Sequence, residues 1–188
     1  GDLIIDDITN NQGLLQLVDV PTSTGGYNTL ATKPGYSIDQ TYPPGDSDNP
    51  NPIKEDSTVA AGEVTQVTLA IDRVSTMRIS TADQFCNVVP SISLQMDGSK
   101  LIGANKLKYS TSTATDTGGE RTLSDLEWDV YKLAVTEAGY DLTGSRPFLP
   151  VNLAPNTTQD IELLLKTSNP RSLLVSVKDA ATGLPVSG

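Results

Sequence analysis

The sequence predicts an all-β protein built from tandem Greek-key β-sandwich domains of the transthyretin or Cna-B-like kind. Three observations support this prediction: apolar and polar residues alternate in several short segments, turn-forming residues separate those segments, and one block of sequence occurs twice. No window longer than about ten residues has apolar residues at helical spacing. The alternation therefore predicts the fold class, and the duplication predicts the domain organisation.

The alternating segments each place their apolar residues on one face, as a half-buried strand requires. In chain order the apolar residues are Val67, Leu69 and Ile71, then Ile92, Leu94 and Met96, then Tyr131, Leu133 and Val135, then Ile161, Leu163 and Leu165, and finally Leu173, Val175 and Val177. Turn signals lie between them at Pro34-Gly35, Asp97-Gly98, Gly118-Gly119 and Pro155-Asn156. Short strands with frequent turns are typical of a β-sandwich.

The duplicated block consists of a glycine, a strand-like segment and two tyrosines. The first copy has residues 13–20, Tyr27 and Lys33-Pro-Gly-Tyr36, and the second has residues 119–126, Tyr131 and Glu137-Ala-Gly-Tyr140. The second tyrosine follows the first by nine positions in both copies, because 36 − 27 and 140 − 131 are equal. Recurrence of strand-like segments in this order predicts tandem domains.

Alignment of the two copies predicts three parts. Residues 1–72 are a first sandwich repeat that lacks its opening strand or strands, and residues 73–168 are a complete repeat. Residues 169–188 provide the first strand and turn of a third repeat, because a new strand begins at residue 77 after the first copy and at residue 173 after the second.

Composition excludes several classes of function. Thirteen basic and 23 acidic residues give a net charge of −10, and scattered basic residues on an acidic chain would be repelled by nucleic acid. The chain has no His, the commonest general base and transition-metal ligand, so we expect no enzyme activity. No apolar run approaches the about 18 residues of a membrane span, and none is expected in this segment. The acidic, Thr-rich composition indicates an extracellular or cell-surface protein.

Residues 173–188, with the sequence Leu-Leu-Val-Ser-Val-Lys-Asp-Ala-Ala-Thr-Gly-Leu-Pro-Val-Ser-Gly, resemble the opening of carboxypeptidase regulatory-like domains, which are similar to transthyretin-like and Cna-B-type sandwiches. The glycine and Gly-Tyr elements of the duplicated block are also similar to those domains. Residues 36–52 and 125–129 resemble multi-repeat, pilin-like surface proteins of bacteria. This resemblance implies a non-catalytic structural repeat of an extracellular appendage, a pilus, filament or surface stalk, whose partners are neighbouring repeats or copies of itself in a homopolymer.

Two alternative functions remain open at this point. One is a glycan- or protein-binding adhesion module, for which an exposed Trp128 could stack on a sugar ring. A lone aromatic rarely forms such a platform, so we expect Trp128 to cap one end of the sandwich with its ring half-buried. The other alternative is an accessory domain of a secreted peptidase.

The sequence offers no catalytic or cofactor-binding set and one weak metal candidate. Asp46, Asp48 and Asn51 place oxygen ligands at intervals in one loop, as a hard cation such as calcium prefers. A calcium cage needs about six to eight oxygens, so a solvated acidic turn without any cofactor is the expected structure. Cys86 is the only cysteine; we expect a buried, inert thiol, with a link to another chain as the alternative.

The incomplete first repeat suggests a mode of assembly. A sandwich without its first strand exposes unpaired backbone groups and part of its core. Leu173, Val175 and Val177 belong to the kind of strand that the first repeat lacks. They are therefore candidates for strand exchange, in which this segment inserts into the next molecule of a head-to-tail polymer.

Overall fold

The computed structural model describes residues 4–168 and 179–182, and it is all-β: the described residues form strands, turns and loops without a helix. This confirms the prediction that the protein is all-β. The chain divides into two units. Unit 1 comprises Gly1–Asp72 and Leu101–Lys108, and unit 2 comprises Arg73–Lys100 and Tyr109–Gly188.

The strands are short, and most are joined by tight turns. In chain order they are β1 (Ser23–Tyr27), β2 (Leu30–Ala31), β3 (Asp39–Gln40), β4 (Ser57–Val59), β5 (Ser75–Asp83), β6 (Ser93–Asp97), β7 (Leu101–Gly103), β8 (Lys106–Leu107), β9 (Ser110–Ala114), β10 (Glu120–Leu126), β11 (Asp129–Val135), β12 (Tyr140–Arg146), β13 (Val151–Leu153) and β14 (Thr158–Thr167).

Unit 2 is a sandwich of two four-stranded sheets. One sheet has the order β10-β5-β14-β12 and the other has the order β13-β11-β6-β9. Alternate residues of the central strands meet between the sheets, as their sequence pattern predicts. The buried apolar residues of this core are Met77, Ile79, Val89, Ile92, Leu94, Met96, Leu126, Tyr131, Leu133, Val151, Leu153, Ile161, Leu163 and Leu165.

The first and last strands of unit 2 are neighbours and run in the same direction. In this parallel pair, Thr76 of β5 lies opposite Thr158 of β14, and Asp83 lies opposite Leu165. The chain therefore enters unit 2 at one end of the sandwich and leaves it at the other. All other strand pairs in the two sheets of unit 2 are antiparallel.

Unit 1 contains three small antiparallel pairs, β1 with β4, β2 with β3, and β7 with β8. The β7–β8 hairpin leaves unit 2 and returns to it, which the sequence did not indicate. Within unit 1 the hairpin joins the loop before β4: Ile102 O accepts the Ile53 N–H at 3.0 Å, and Asn51 O accepts the Ala104 N–H at 3.1 Å. A Cβ atom at Gly103 would overlap the Asn49 side chain, so the close approach requires glycine.

The core of unit 1 is polar where it is described. Apart from Pro52, the buried side chains described in this unit are polar: Ser37, Asp39, Thr41 and Asn49. The strand predicted over residues 65–71 is not formed, although its apolar residues alternate as in β14. A strand needs a neighbour for its backbone hydrogen bonds, and in the described part of unit 1 no segment pairs continuously with these residues.

Candidate strand-acceptor site

Two turns, one in each unit, have the same hydrogen bonds. In unit 1, Asn10 Oδ1 accepts the N–H groups two and four positions later, at 2.9 and 3.0 Å. In unit 2, Asp116 Oδ1 accepts the equivalent N–H groups at 2.8 and 3.0 Å. Gly13 and Gly119 stand at the same place in the two turns with φ of 74° and 73°, a conformation that favours glycine. The glycine that opens each copy of the duplicated block thus ends the same turn.

Cys86 occupies the glycine position in a third turn of this kind. Asp83 Oδ1 accepts the N–H groups of Phe85 and Asn87 at 2.8 and 2.9 Å, and Cys86 has a φ of 64°. The bonds from Asn87 lower the pKa of Asp83. Cys86 is exposed, so the predicted buried thiol is wrong: its neighbours Phe85 and Val88 also face solvent in this loop rather than the core.

Substitution of Cys86 by glycine is expected to raise the free energy of unfolding of unit 2 by about 0.5–1 kcal/mol. Glycine adopts the left-handed conformation without the steric strain of a side chain. The greater conformational entropy of glycine in the unfolded chain offsets part of this gain. Urea unfolding followed by the fluorescence of Trp128, the only Trp of the chain, measures this change. Cys86→Ala is the control: alanine keeps the strain and should bring no gain. Equal stabilisation by both substitutions would contradict the explanation.

The first tyrosine of each copy makes the same bond. The Tyr27 hydroxyl donates to Pro21 O at 2.8 Å in unit 1, and the Tyr131 hydroxyl donates to Glu127 O at 2.9 Å in unit 2. Burial raises the pKa of Tyr131 well above its ordinary value, and the negative charge of Asp129 adds to this shift. Each hydroxyl fastens the chain that leads into its tyrosine strand.

The second tyrosine follows a matching turn in each unit. Tyr36 N–H donates to Lys33 O at 2.9 Å, and Tyr140 N–H donates to Glu137 O at 3.4 Å. The strand register also agrees, because Tyr27 lies opposite Ser57 in the β1–β4 pair and Tyr131 lies opposite Val151 in the β11–β13 pair.

The segment after the second tyrosine is held to the end of the copy in both units. In unit 1, Ser37 N–H donates to Asp72 O at 2.8 Å, and Ser37 Oγ accepts the Asp72 N–H at 3.2 Å. In unit 2, the equivalent residues Asp141 and Lys166 lie opposite each other in the β12–β14 pair. Residues 65–71 thus precede Asp72 in the chain as residues 159–165 of β14 precede Lys166.

The two units differ in the strands that pair with residues 14–20 and 65–71 and with β10 and β14. In unit 2, β5 pairs with β10 on one side and with β14 on the other. In the predicted alignment of the two copies, β10 and β14 correspond to residues 14–20 and 65–71 of unit 1, which we call the acceptor segments. Neither forms a strand with any described residue. Leu17 is 43 % exposed and Val67 is 38 % exposed.

A polar cluster fastens one acceptor segment to β3. Asp39 Oδ2 accepts hydrogen bonds from Lys54 Nζ and from the Ala70 N–H, the latter at 2.7 Å. Burial alone would raise the pKa of Asp39, but these two bonds and the positive charges of Lys54 and Lys108 outweigh burial, so the pKa lies below its ordinary value. Asp39 therefore stays ionised and ties residues 65–71 to the rest of unit 1.

The candidate calcium residues lie together in the loop before β4. Asp46 Oδ1 accepts the N–H groups of Asp48 and Asn49 at 2.8 and 3.2 Å, which is a turn closed by a side chain. The Lys106 ammonium donates to Asp48 O at 2.8 Å, so a cation of the protein already binds this loop. Asn51 is exposed beside them. Within the described ranges, no group of three or more His, Cys, Asp and Glu residues is placed to hold a metal ion.

Trp128 is half-buried at the start of β11, as expected. The Lys100 ammonium lies 3.3 Å from the centre of its ring and forms an ion pair with Glu127 at 2.8 Å. Lys100 therefore covers one face of the indole through a cation–π contact. That face is not open for stacking on a sugar.

The strand-exchange residues Leu173, Val175 and Val177 lie outside the described residues. The turn that follows them is described: Asp179 Oδ1 accepts the N–H groups of Ala181 and Thr182 at 3.0 and 2.7 Å. These bonds lower the pKa of Asp179, chiefly through Thr182. Among the residues with described positions, no helix is long and apolar enough to cross a membrane.

Comparison with known proteins gives one structural likeness. No family model matches the sequence, and no curated protein matches it. The chain is similar to a streptococcal ancillary pilin of known structure, with 18 % sequence identity and a TM-score of 0.40. The likeness covers 60 % of this chain and 40 % of the pilin chain, so the chain spans less than half the length of that protein.

Proposed function

We propose that this chain is a non-catalytic structural repeat of an extracellular bacterial appendage, a pilus, filament or surface stalk, in which neighbouring copies join by β-strand complementation. The observation that most supports this function is the parallel β5–β14 pair. It makes unit 2 an in-line module, which a chain enters at one end and leaves at the other.

In-line geometry decides how the module responds to tension. A pull on the two ends of unit 2 draws β5 and β14 along each other in opposite directions. The hydrogen bonds of their ladder, which runs from Thr76 to Asp83 of β5, then share the load and must break together. Peeling the same two strands apart from one end breaks the bonds one at a time. Resistance to stretching between its ends is the property that a spacer in a surface filament needs.

Force spectroscopy on the full chain tests this function. In a Cys86→Ser background, cysteine handles at Arg73 and Ser168 load the β5–β14 pair in shear, because these positions lie at opposite ends of unit 2. Handles at Gln84 and Ser168 load the same pair from one end and serve as the matched control. We expect a several-fold higher unfolding force in shear. Equal forces in the two geometries would count against a load-bearing role.

A further inference from the structure

We propose that the acceptor segments of unit 1 bind residues 172–179 of a second copy as a strand, antiparallel to residues 14–20 and parallel to residues 65–71. This inference rests on the strand complementation in the proposed function and adds the location, direction and register of the contact.

The acceptor segments correspond to two strands of unit 2. The turn before residues 14–20 matches the turn before β10, and the bonds between Ser37 and Asp72 match the β12–β14 register. In unit 2 one strand, β5, fills the place between β10 and β14. By this correspondence we infer that the equivalent place in unit 1 lies between the two acceptor segments, and no described strand pairs with either of them.

Residues 172–179 correspond to β5 in sequence. Asp83 ends β5 and its Oδ1 accepts the N–H two positions later, at 2.8 Å. Asp179 Oδ1 likewise accepts the N–H two positions later, at 3.0 Å. When these two aspartates are aligned, residues 172–179 correspond to residues 76–83. Leu173, Val175 and Val177 then take the places of Met77, Ile79 and Thr81, each of which is at most 2 % exposed.

The strand pairs of β5 in unit 2 define the expected register of the bound strand. In unit 2, Arg78 of β5 lies opposite Thr122 of β10 and opposite Asp160 of β14. The alignment of Gly119 with Gly13 pairs residue 122 with residue 16, because both pairs differ by 106. The alignment of Lys166 with Asp72 pairs residue 160 with residue 66, because both pairs differ by 94. Leu174 takes the place of Arg78. We therefore expect Leu174 of the bound strand to lie between Gln16 and Gln66, on the outer face of the sheet.

The inner face of the same strand would cover the exposed apolar residues of the acceptor segments. By the same register, Leu173 lies opposite Leu17, as Met77 lies opposite Leu123, and Val175 lies opposite Val67, as Ile79 lies opposite Ile161. Burying these apolar pairs and satisfying two rows of backbone groups both favour binding. The partner is thus defined by chemistry: an extended segment with apolar residues at alternate positions.

We assign this strand to a second copy because of its place after unit 2. Residue 172 follows β14, which ends at the opposite end of unit 2 from the start of β5. A module that the chain leaves at this end offers the next residues to a neighbouring copy, as the proposed function requires.

Disulfide trapping in the full chain tests the register. In a Cys86→Ser background, we expect a Gln16→Cys protein mixed with a larger, tagged Leu174→Cys protein to form the mixed disulfide on mild oxidation. A Gln66→Cys protein should do the same. Ser176→Cys is the matched control, because it lies on the same outer face two positions out of register and should cross-link several-fold less with either partner. Trp128 emission checks that unit 2 stays folded in every variant.

The proposal would be overturned by equal yields with Leu174→Cys and Ser176→Cys, by a predominance of 174–174 disulfides, or by no cross-link at all. A chain that carries both Gln16→Cys and Leu174→Cys should give a ladder of covalent oligomers. A cross-linked monomer would instead place the strand in its own copy. If cross-linking fails while unit 2 still resists shear, this inference falls and the load-bearing function stands.

Discussion

Leu163→Ala is expected to lower the free energy of unfolding of unit 2 by about 2–5 kcal/mol, whereas Leu69→Ala is expected to cost unit 1 about 1 kcal/mol or less in the unassembled chain. Leu163 is fully buried between the two sheets of unit 2, so its truncation leaves a cavity. Leu69 corresponds to Leu163 in the alignment of the two copies but is only partly buried. The same substitution thus compares a complete core with an open one.

Two measurements separate the costs of these substitutions. Urea unfolding followed by Trp128 emission measures the stability of unit 2, and amide hydrogen exchange of peptides that cover residues 65–72 measures local opening in unit 1. In assembled material the cost of Leu69→Ala should rise towards that of Leu163→Ala, because the bound strand would bury Leu69. A large cost for Leu69→Ala in the monomer would mean that residues 65–71 are already packed.

The comparison between these leucines also shows how far the sequence determines the fold. Alternation predicted β6, β11 and β14 because each of these strands has a partner in unit 2 and one face in its core. Residues 65–71 alternate in the same way and form no strand in the described structure. Periodicity reports which side chains can face a core, but pairing depends on a neighbour that is distant in the sequence.

Other features depended on tertiary context. The β7–β8 hairpin belongs to unit 1 although it lies between two strands of unit 2, and no local pattern signals such an excursion. Cys86 was expected in the core from its residue type, yet the turn started by Asp83 decides its place. The aspartate that starts this turn was visible in the sequence, three positions before Cys86, just as Asp116 stands three positions before Gly119. Comparison with residues 116–120 could therefore have revealed the exposed turn.

The polar cluster of unit 1 leads to the second large effect. Asp39→Asn is expected to cost unit 1 about 1–2 kcal/mol, because it replaces charge-assisted bonds to Lys54 and to the Ala70 N–H with weaker neutral ones. This expected cost is small for the loss of charge-assisted hydrogen bonds because the Lys54 side chain is 38 % exposed and water screens its charge. Amide exchange at Ala70 measures the loss, and Lys54→Gln, which leaves the Ala70 bond intact, should cost less.

The pH dependence of unit 1 gives an independent check on the same cluster. The pKa of Asp39 in the folded protein lies below its ordinary value of 3.8, so its contribution to stability is complete above about pH 4 and is lost as the pH falls through the lower folded value. Unit 1 of the parent protein should therefore lose protection on acidification below that point, after correction for intrinsic exchange. The Asp39→Asn protein should lack this component. An equal loss in both proteins would show that another group controls the acid response, and the role of Asp39 in fastening the acceptor segment would then have to be abandoned.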